Sequence, residues 1–215
     1  MFNLFKKEIW PGEKVYRKEY NRLLEKVFHF SCHDFIEGDY LEFGVFQGAS
    51  LKESLKCAKK FGFKGRLFGF DSFQGMPKSS TDNVYFMEGN LNCPIEHVQK
   101  QFSPQDINNK VFFIKGFYRD TLNQELKQKY QISKAAIINF DCDVYESTIS
   151  SLSFCTSLVQ IGTVFNFDDW FCHKADPEKG VQQAFYEWKE KNKFEFSDYA
   201  TYGTHSKTII CTRAS

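Results

Sequence analysis

Short apolar runs that stop at or just before a glycine or an aspartate recur along this chain, with helical spacing between them, and this alternation constrains the fold more than any other feature. The runs are Tyr40-Leu41-Glu42-Phe43, Arg66-Leu67-Phe68-Gly69-Phe70, Val111-Phe112-Phe113-Ile114, Ala135-Ala136-Ile137-Ile138-Asn139-Phe140 and Thr163-Val164-Phe165-Asn166-Phe167. Such runs, bounded by turn residues, suit strands buried on both faces, as in parallel sheets. Helical patterns cover residues 50–60, 94–102, 122–130, 147–158 and 180–191, the last with Val181, Ala184, Phe185 and Trp188 inward. Phe194-Glu195-Phe196 and Thr208-Ile209-Ile210-Cys211 close the chain as an antiparallel pair. The pattern predicts a doubly wound, Rossmann-like α/β sandwich with a mostly parallel seven-stranded sheet and an antiparallel final strand. A further helix over residues 14–30 places Tyr16, Tyr20, Leu23, Leu24, Val27 and Phe28 at helical spacing, where they cap the core or cover a site.

Composition narrows the partners. With 215 residues, 42% of them hydrophobic and 25 of them Phe, the chain can bury one sizeable core. A net charge of +1 without a basic arm argues against nucleic acid and anionic lipid, and leaves a small molecule as the expected partner. No stretch approaches the ~20 apolar residues of a membrane span. Residues 1–7 lack the order of a secretory signal, so a soluble cytoplasmic protein is expected. The seven cysteines are scattered and form no CxxC pair, which argues against a disulfide framework or a zinc site.

Ligands of open α/β sheets bind beyond the carboxyl ends of the strands, and the chemistry-bearing residues cluster there. Glu42-Phe43-Gly44-Val45-Phe46-Gln47-Gly48-Ala49-Ser50 reads as a strand, a turn with two glycines and a helix start, suited to close backbone approach to a ligand and to anion binding by helix amides. Three residues separate Gly44 from Gly48 and no third glycine follows, so this is not the pyrophosphate fingerprint of a nicotinamide dinucleotide. Asp71, at the end of the next strand, is placed to accept hydrogen bonds from ribose hydroxyls. Lys115-Gly116-Phe117-Tyr118 offers aromatic surface to an adenine. Asp141-Cys142-Asp143 and Asp168-Asp169 follow two apolar runs and would deliver carboxylates from adjacent strands. Adjacent like charges repel unless compensated, which points to a hard divalent cation.

Taken in order, Leu41-Glu42-Phe43-Gly44-Val45 with Gly48 and Ser50, Gly69-Phe70-Asp71-Ser72-Phe73 with Gly75 and Pro77, Asp141-Cys142-Asp143-Val144-Tyr145-Glu146-Ser147-Thr148, and Asp168-Asp169-Trp170 resemble the TylF/MycF-type macrocin O-methyltransferase family. The resemblance runs from about residue 38 to 185 and is most specific in the fourth-strand motif. It implies a class I methyltransferase sandwich that is dependent on S-adenosylmethionine (SAM) and on Mg2+ or Mn2+. The acceptor it implies is a hydroxyl of a small, sugar-containing natural product. Residues 1–37 would form an N-terminal helical cap and 38–215 the methyltransferase domain. By the same resemblance Asp141, Asp168 and Asp169 are the metal ligands, and Glu42, Gly44, Ser50, Asp71, Ser72 and Phe117 line the SAM pocket.

Two groups are candidates for the base: Asp143, two residues after Asp141, and His173, in the loop after Asp168-Asp169-Trp170. Asp143 also reads as a group behind the ligands or as an acid at a helix N-terminus, and Ser147 as the cap of that helix. Related catechol-type enzymes carry a lysine base after the strand-four aspartate, whereas here Cys142, Asp143, Val144 and Tyr145 follow, which argues against a catechol acceptor. The chain is short at the N-terminus, where related enzymes carry much of their acceptor lid, so residues 10–30 would form a smaller lid or a homo-oligomer contact. Two rival readings are a metal-dependent glycosyltransferase, whose Asp-x-Asp resembles Asp141-Cys142-Asp143, and a non-catalytic SAM-binding protein.

Overall fold

The computed structural model describes residues 13–78 and 87–214; residues 1–7, read above against a secretory signal, and residues 10–12 of the expected lid lie outside these. Seven strands, β1 (Asp39–Phe43), β2 (Leu67–Asp71), β3 (Val111–Lys115), β4 (Ala135–Phe140), β5 (Val164–Phe167), β6 (Glu195–Ala200) and β7 (Lys207–Arg213), form one sheet in the order β3-β2-β1-β4-β5-β7-β6. The first five are parallel, and β7 runs antiparallel to both β5 and β6. The expected sandwich is therefore present. From β1 the chain winds outward to β2 and β3, then returns to lay β4 and β5 on the other side, so the strand order reverses between β1 and β4. At such a switch point ligands of open α/β sheets bind in the crevice beyond the carboxyl ends of the two strands.

Helices α1 (Glu13–His33) and α2 (Ala49–Phe61) pack together on one face of the sheet, and α7 (Tyr145–Cys155) and α8 (Gly180–Asn192) on the other. The remaining helices are short: α3 (Ile95–Gln99), α4 (Pro104–Asn109), α5 (Tyr118–Thr121) and α6 (Gln124–Tyr130). Of the expected helix over 94–102 only Ile95–Gln99 is helical; Ser103 then caps α4, its hydroxyl accepting from the Asp106 amide at 3.1 Å with Pro104 next in line. Asn123 divides α5 from α6 in the same way, accepting from the Leu126 amide at 2.8 Å. Ser147 does not cap its helix, because α7 begins earlier, at Tyr145 behind an extended Val144, and leaves Ser147 buried within it. Among the described residues no helix is long and apolar enough to cross a membrane.

One row of phenylalanines sets the register of the site. Phe70, Phe43, Phe140 and Phe167 are directly paired across β2, β1, β4 and β5. Their rings stack, with centroids 4.7 Å apart for Phe43 and Phe70, 5.6 Å for Phe43 and Phe140, and 4.7 Å for Phe140 and Phe167. In each strand the next residue points to the opposite face. Those next residues are Asp71, Gly44, Asp141 and Asp168. On that opposite face, one step back, Glu42, Asn139, Asn166 and Thr208 make a buried polar row in the same register. Asn166 Nδ2 donates to Asn139 Oδ1 at 2.6 Å, and Thr208 Oγ1 donates to Asn166 Oδ1 at 2.8 Å. Buried polar groups of this kind fix a unique alignment because a slipped register would leave them unpaired.

Candidate active site

Gly44 shows why the first turn has its shape. Its φ is +95°, and a Cβ there would lie 1.6 Å from the Asp141 carbonyl oxygen. The glycine thus lets the end of β1 touch the end of β4 and brings the first turn against the acidic strand. Gly48 caps α2 at φ +78°. Beneath this turn Glu42 is fully buried; Ser50 Oγ donates to its Oε1 at 2.7 Å, the Tyr40 hydroxyl to its Oε2, and the Leu51 amide to the same carboxylate. Burial pushes the Glu42 carboxyl up to about 7.

Asp71 is a tie between turns. Its Oδ2 accepts from the amides of Val45 at 2.8 Å and Phe46 at 2.9 Å, and its Oδ1 from the Phe73 amide at 2.7 Å. Its carbonyl accepts from Gly116 N at 2.9 Å, which draws in the turn after β3. A carboxylate has about four acceptor positions, so three amides leave room for one hydroxyl. Ser72 is buried and serves its own turn, donating to the Gly75 carbonyl at 2.8 Å and accepting from the Gln74 amide at 3.0 Å. Phe117 precedes α5, and the Arg119 guanidinium lies over its ring at 5.6 Å. The ends of β1, β2 and β3 therefore bring Glu42, Gly44, Ser50, Asp71, Ser72 and Phe117 to one side of the crevice.

The other side is acidic. Asp141 N donates to the Phe43 carbonyl at 2.8 Å and Asp168 N to the Phe140 carbonyl at 3.0 Å, so the ladder continues one residue past β4 and β5 and aligns their aspartates. Carboxylate oxygens of Asp141, Asp143 and Asp169 lie within 4.8 Å of one another. Asp168 is within hydrogen-bond reach of Asp141, and Asp143 of Asp169. The sequence pairs Asp168 with Asp169 on the cation and sets Asp143 apart as a base. In the structure Asp143 joins Asp141 and Asp169, while Asp168 Oδ1 accepts from the hydroxyls of Tyr16 and Tyr202. Burial is the largest influence on all four carboxyls and raises each of them, Asp143 to about 6. The charges that weigh most on Asp141 are Asp168, Asp143, Asp169 and Glu42, all acidic. Asp169 Oδ2 is buried with no hydrogen-bond partner. An all-oxygen donor set with mutual repulsion and an orphaned buried oxygen fits a hard divalent ion.

His173 sits in the turn between Asp169 and α8, its φ +56°, and its ring lies against Gly180, where a Cβ would approach Nε2 to 3.0 Å. That Nε2 is buried without a partner. The sequence carries no signal for His205, whose carbonyl accepts from Phe171 N at 2.8 Å. Tyr202 is likewise unmarked in the sequence, and Tyr16 is marked only as part of a helix that caps the core or covers a site. A tyrosine in the turn before a closing strand carries no spacing signal, and Tyr16 lies 152 residues from the aspartate it contacts.

The strand order, the switch point and the carboxylates beside it define a class I methyltransferase fold. The chain belongs to the macrocin-O-methyltransferase (TylF) family, whose model matches residues 16–197. Over 147 residues it is 28% identical to the 8-demethyl-8-(2,3-dimethoxy-alpha-L-rhamnosyl)-tetracenomycin-C 4'-O-methyltransferase of Streptomyces olivaceus, covering 64% of this chain and 54% of that protein. The chain spans about half the length of the curated relatives it matches. Among solved structures, the O-methyltransferase NovP superposes with a TM-score of 0.74 at 21% identity, over 91% of this chain and 80% of that one. An O-methyltransferase from Bacillus cereus in complex with SAH superposes with a TM-score of 0.60 at 13% identity, over 96% of this chain and 83% of that one.

Proposed function

We propose that this protein is a SAM-dependent O-methyltransferase that methylates a hydroxyl of a small, sugar-containing natural product. The observation that carries the reading is the carboxylate cluster at the switch point, set against the Asp71-tied turns in a chain of the macrocin-O-methyltransferase family. Two relatives support it: the Streptomyces olivaceus enzyme, named for a rhamnosyl acceptor, and the Bacillus cereus enzyme, solved with SAH. Residues 38–215 are proposed as the methyltransferase domain, with residues 1–37 as its helical cap.

In this mechanism Glu42 and Ser50 shape the first turn, Asp71 fixes that turn through the amides of Val45 and Phe46 and would accept one cofactor hydroxyl, and Phe117 would offer its ring to the adenine. The sulfonium methyl of SAM is already activated, so alignment with the acceptor oxygen is the main task left to the protein. Asp141, Asp168 and Asp169 would hold Mg2+ or Mn2+, which would supply Lewis-acid polarisation of the acceptor hydroxyl, with Asp143 next to the ion through its place beside Asp141 and Asp169. Asp143 takes the hydroxyl proton; with its carboxyl at about 6, it is largely ionised near neutral pH. His173 is the weaker candidate, because its ring is packed against Gly180. Transfer moves the methyl from sulfur to oxygen, and the proton leaves on Asp143.

Calorimetric titration of the protein with SAM, and separately with uridine diphosphate sugars, tests the reading without knowledge of the acceptor. Micromolar SAM binding without nucleotide-sugar heat is expected. Nucleotide-sugar binding without SAM binding would replace this reading with a metal-dependent glycosyltransferase.

A further inference from the structure

One oxygen of Asp168 accepts two hydroxyls. Tyr16 reaches Oδ1 from α1, and Tyr202 reaches the same atom from the turn between β6 and β7. Neither tyrosine is loosely held. Their rings pack with centroids 5.5 Å apart, and Tyr20 packs on Tyr202 at 4.9 Å. Asn166 Nδ2, from the buried polar row, donates to the Tyr202 hydroxyl at 3.2 Å, and Ser206 Oγ accepts from the Tyr202 amide at 2.7 Å. Next to it, the Gly203 amide donates to Glu19 of α1 at 2.7 Å, and a Cβ on Gly203 would meet the Tyr16 ring at 2.7 Å. The turn and the helix are thus fitted to each other at the point where both touch Asp168. Tyr20, also on α1, is buried, with its hydroxyl close to that of Tyr40; the acidic groups acting on it are Glu42, Asp141 and Asp168.

With Oδ1 committed to two donors, Oδ2 is the oxygen of Asp168 left to serve an ion, and the Asp141 carboxyl lies within hydrogen-bond reach of Asp168. Groups behind a ligating carboxylate commonly fix which oxygen it offers and in what direction. We propose that Tyr16 and Tyr202 are positioning residues of the cation site, presenting Asp168 through Oδ2 alone, and that Tyr16 makes the seating of α1 and the ordering of that site one event. This rests on the cation reading given above, and it assigns to α1 a part in metal binding as well as in covering the crevice.

The test is Mn2+ binding to the full chain without SAM, followed by calorimetry and by the electron paramagnetic resonance of the ion, for wild type, Tyr16→Phe, Tyr202→Phe, the double variant and Tyr20→Phe. Each substitution keeps the ring and removes only the hydroxyl. Loss of orienting partners typically weakens metal affinity 10- to 100-fold. The double variant should therefore bind Mn2+ at least about tenfold more weakly, with an altered resonance signal and an unchanged circular dichroism spectrum, while Tyr20→Phe stays close to wild type. If the double variant does not fold, the same comparison is read from the single variants. Wild-type affinity and signal in every folded variant lacking the Tyr16 or Tyr202 hydroxyl would overturn the proposal. Absence of Mn2+ binding by wild type would instead overturn the cation reading, and this proposal with it. Hydrogen exchange of the α1 amides should slow when Mg2+ is added to wild type and not when it is added to Tyr16→Phe; equal slowing in both would refute the coupling to α1.

Discussion

Removing the charge of Asp71 should loosen two turns at once, because its carboxylate accepts from Val45, Phe46 and Phe73. Hydrogen bonds to charged groups contribute about 1.5–3 kcal/mol each, and asparagine can keep only part of the set. Asp71→Asn should lower stability in urea by about 1.5–3 kcal/mol and weaken SAM binding in calorimetry. Unchanged values in both measurements would remove Asp71 from its place in the site. The residue was legible in the sequence as an acid ending an apolar run, but its amide partners were not, since turn geometry decides which N–H groups point inward. The aspartates of β4 and β5 were legible for the same reason. The part of the site contributed by Tyr16 and Tyr202 was hidden, because contacts across such sequence distances follow from how α1 and the β6–β7 turn close over the sheet.

At the scale of the elements, the phenylalanine row and Gly44 carry the alignment that the residues need. Phe140 stacks on both Phe43 and Phe167. Phe140→Ala should cost about 3–5 kcal/mol, the usual range for emptying a buried aromatic position. It should also weaken binding at the crevice more than an equally destabilising change far from β4, which chemical denaturation combined with SAM calorimetry would reveal. A loss of stability with undiminished affinity would show that the row supports the core without setting the site. Gly44→Ala places a methyl group against the Asp141 carbonyl at a positive φ, so it should be poorly soluble or lose about 3 kcal/mol or more. A soluble variant of wild-type stability would mean that the β1 turn can move away from β4. Strand positions were readable from the apolar runs, whereas the short helices α4 and α5 were not, because elements of four to six residues are too brief to carry a helical period.

For the whole molecule, the succession of strands and helices along the chain was legible, since parallel strands with helical crossovers have few permitted arrangements. The closing hairpin was legible as antiparallel, but the insertion of β7 between β5 and β6 was not, because pairing order is decided by contacts and not by local pattern. The acidic crevice also gives the molecule a characteristic pH response. Asp141, Asp143 and Asp169 are all raised in the folded state, Asp143 to about 6. Carboxyls raised on folding bind more protons in the native state than in the unfolded one. Their contribution to stability is therefore present below the ordinary carboxylate range and is lost as pH rises through about 6. Metal-free protein should lose melting temperature between pH 5 and about 7.5, and Mn2+ or Mg2+ should restore more at the higher pH, because the ion replaces protons already gone. An equal metal effect at both pH values would place the ion away from these carboxylates. The most direct test of the central claim is methyl transfer from radiolabelled SAM to a panel of small sugar-bearing acceptors, measured with Mg2+ and with chelator, for wild type and Asp141→Asn. Label in the sugar ether that disappears with chelator, and that Asp141→Asn fails to form while still binding SAM, is the predicted result. Equal transfer by both proteins with chelator present would contradict it.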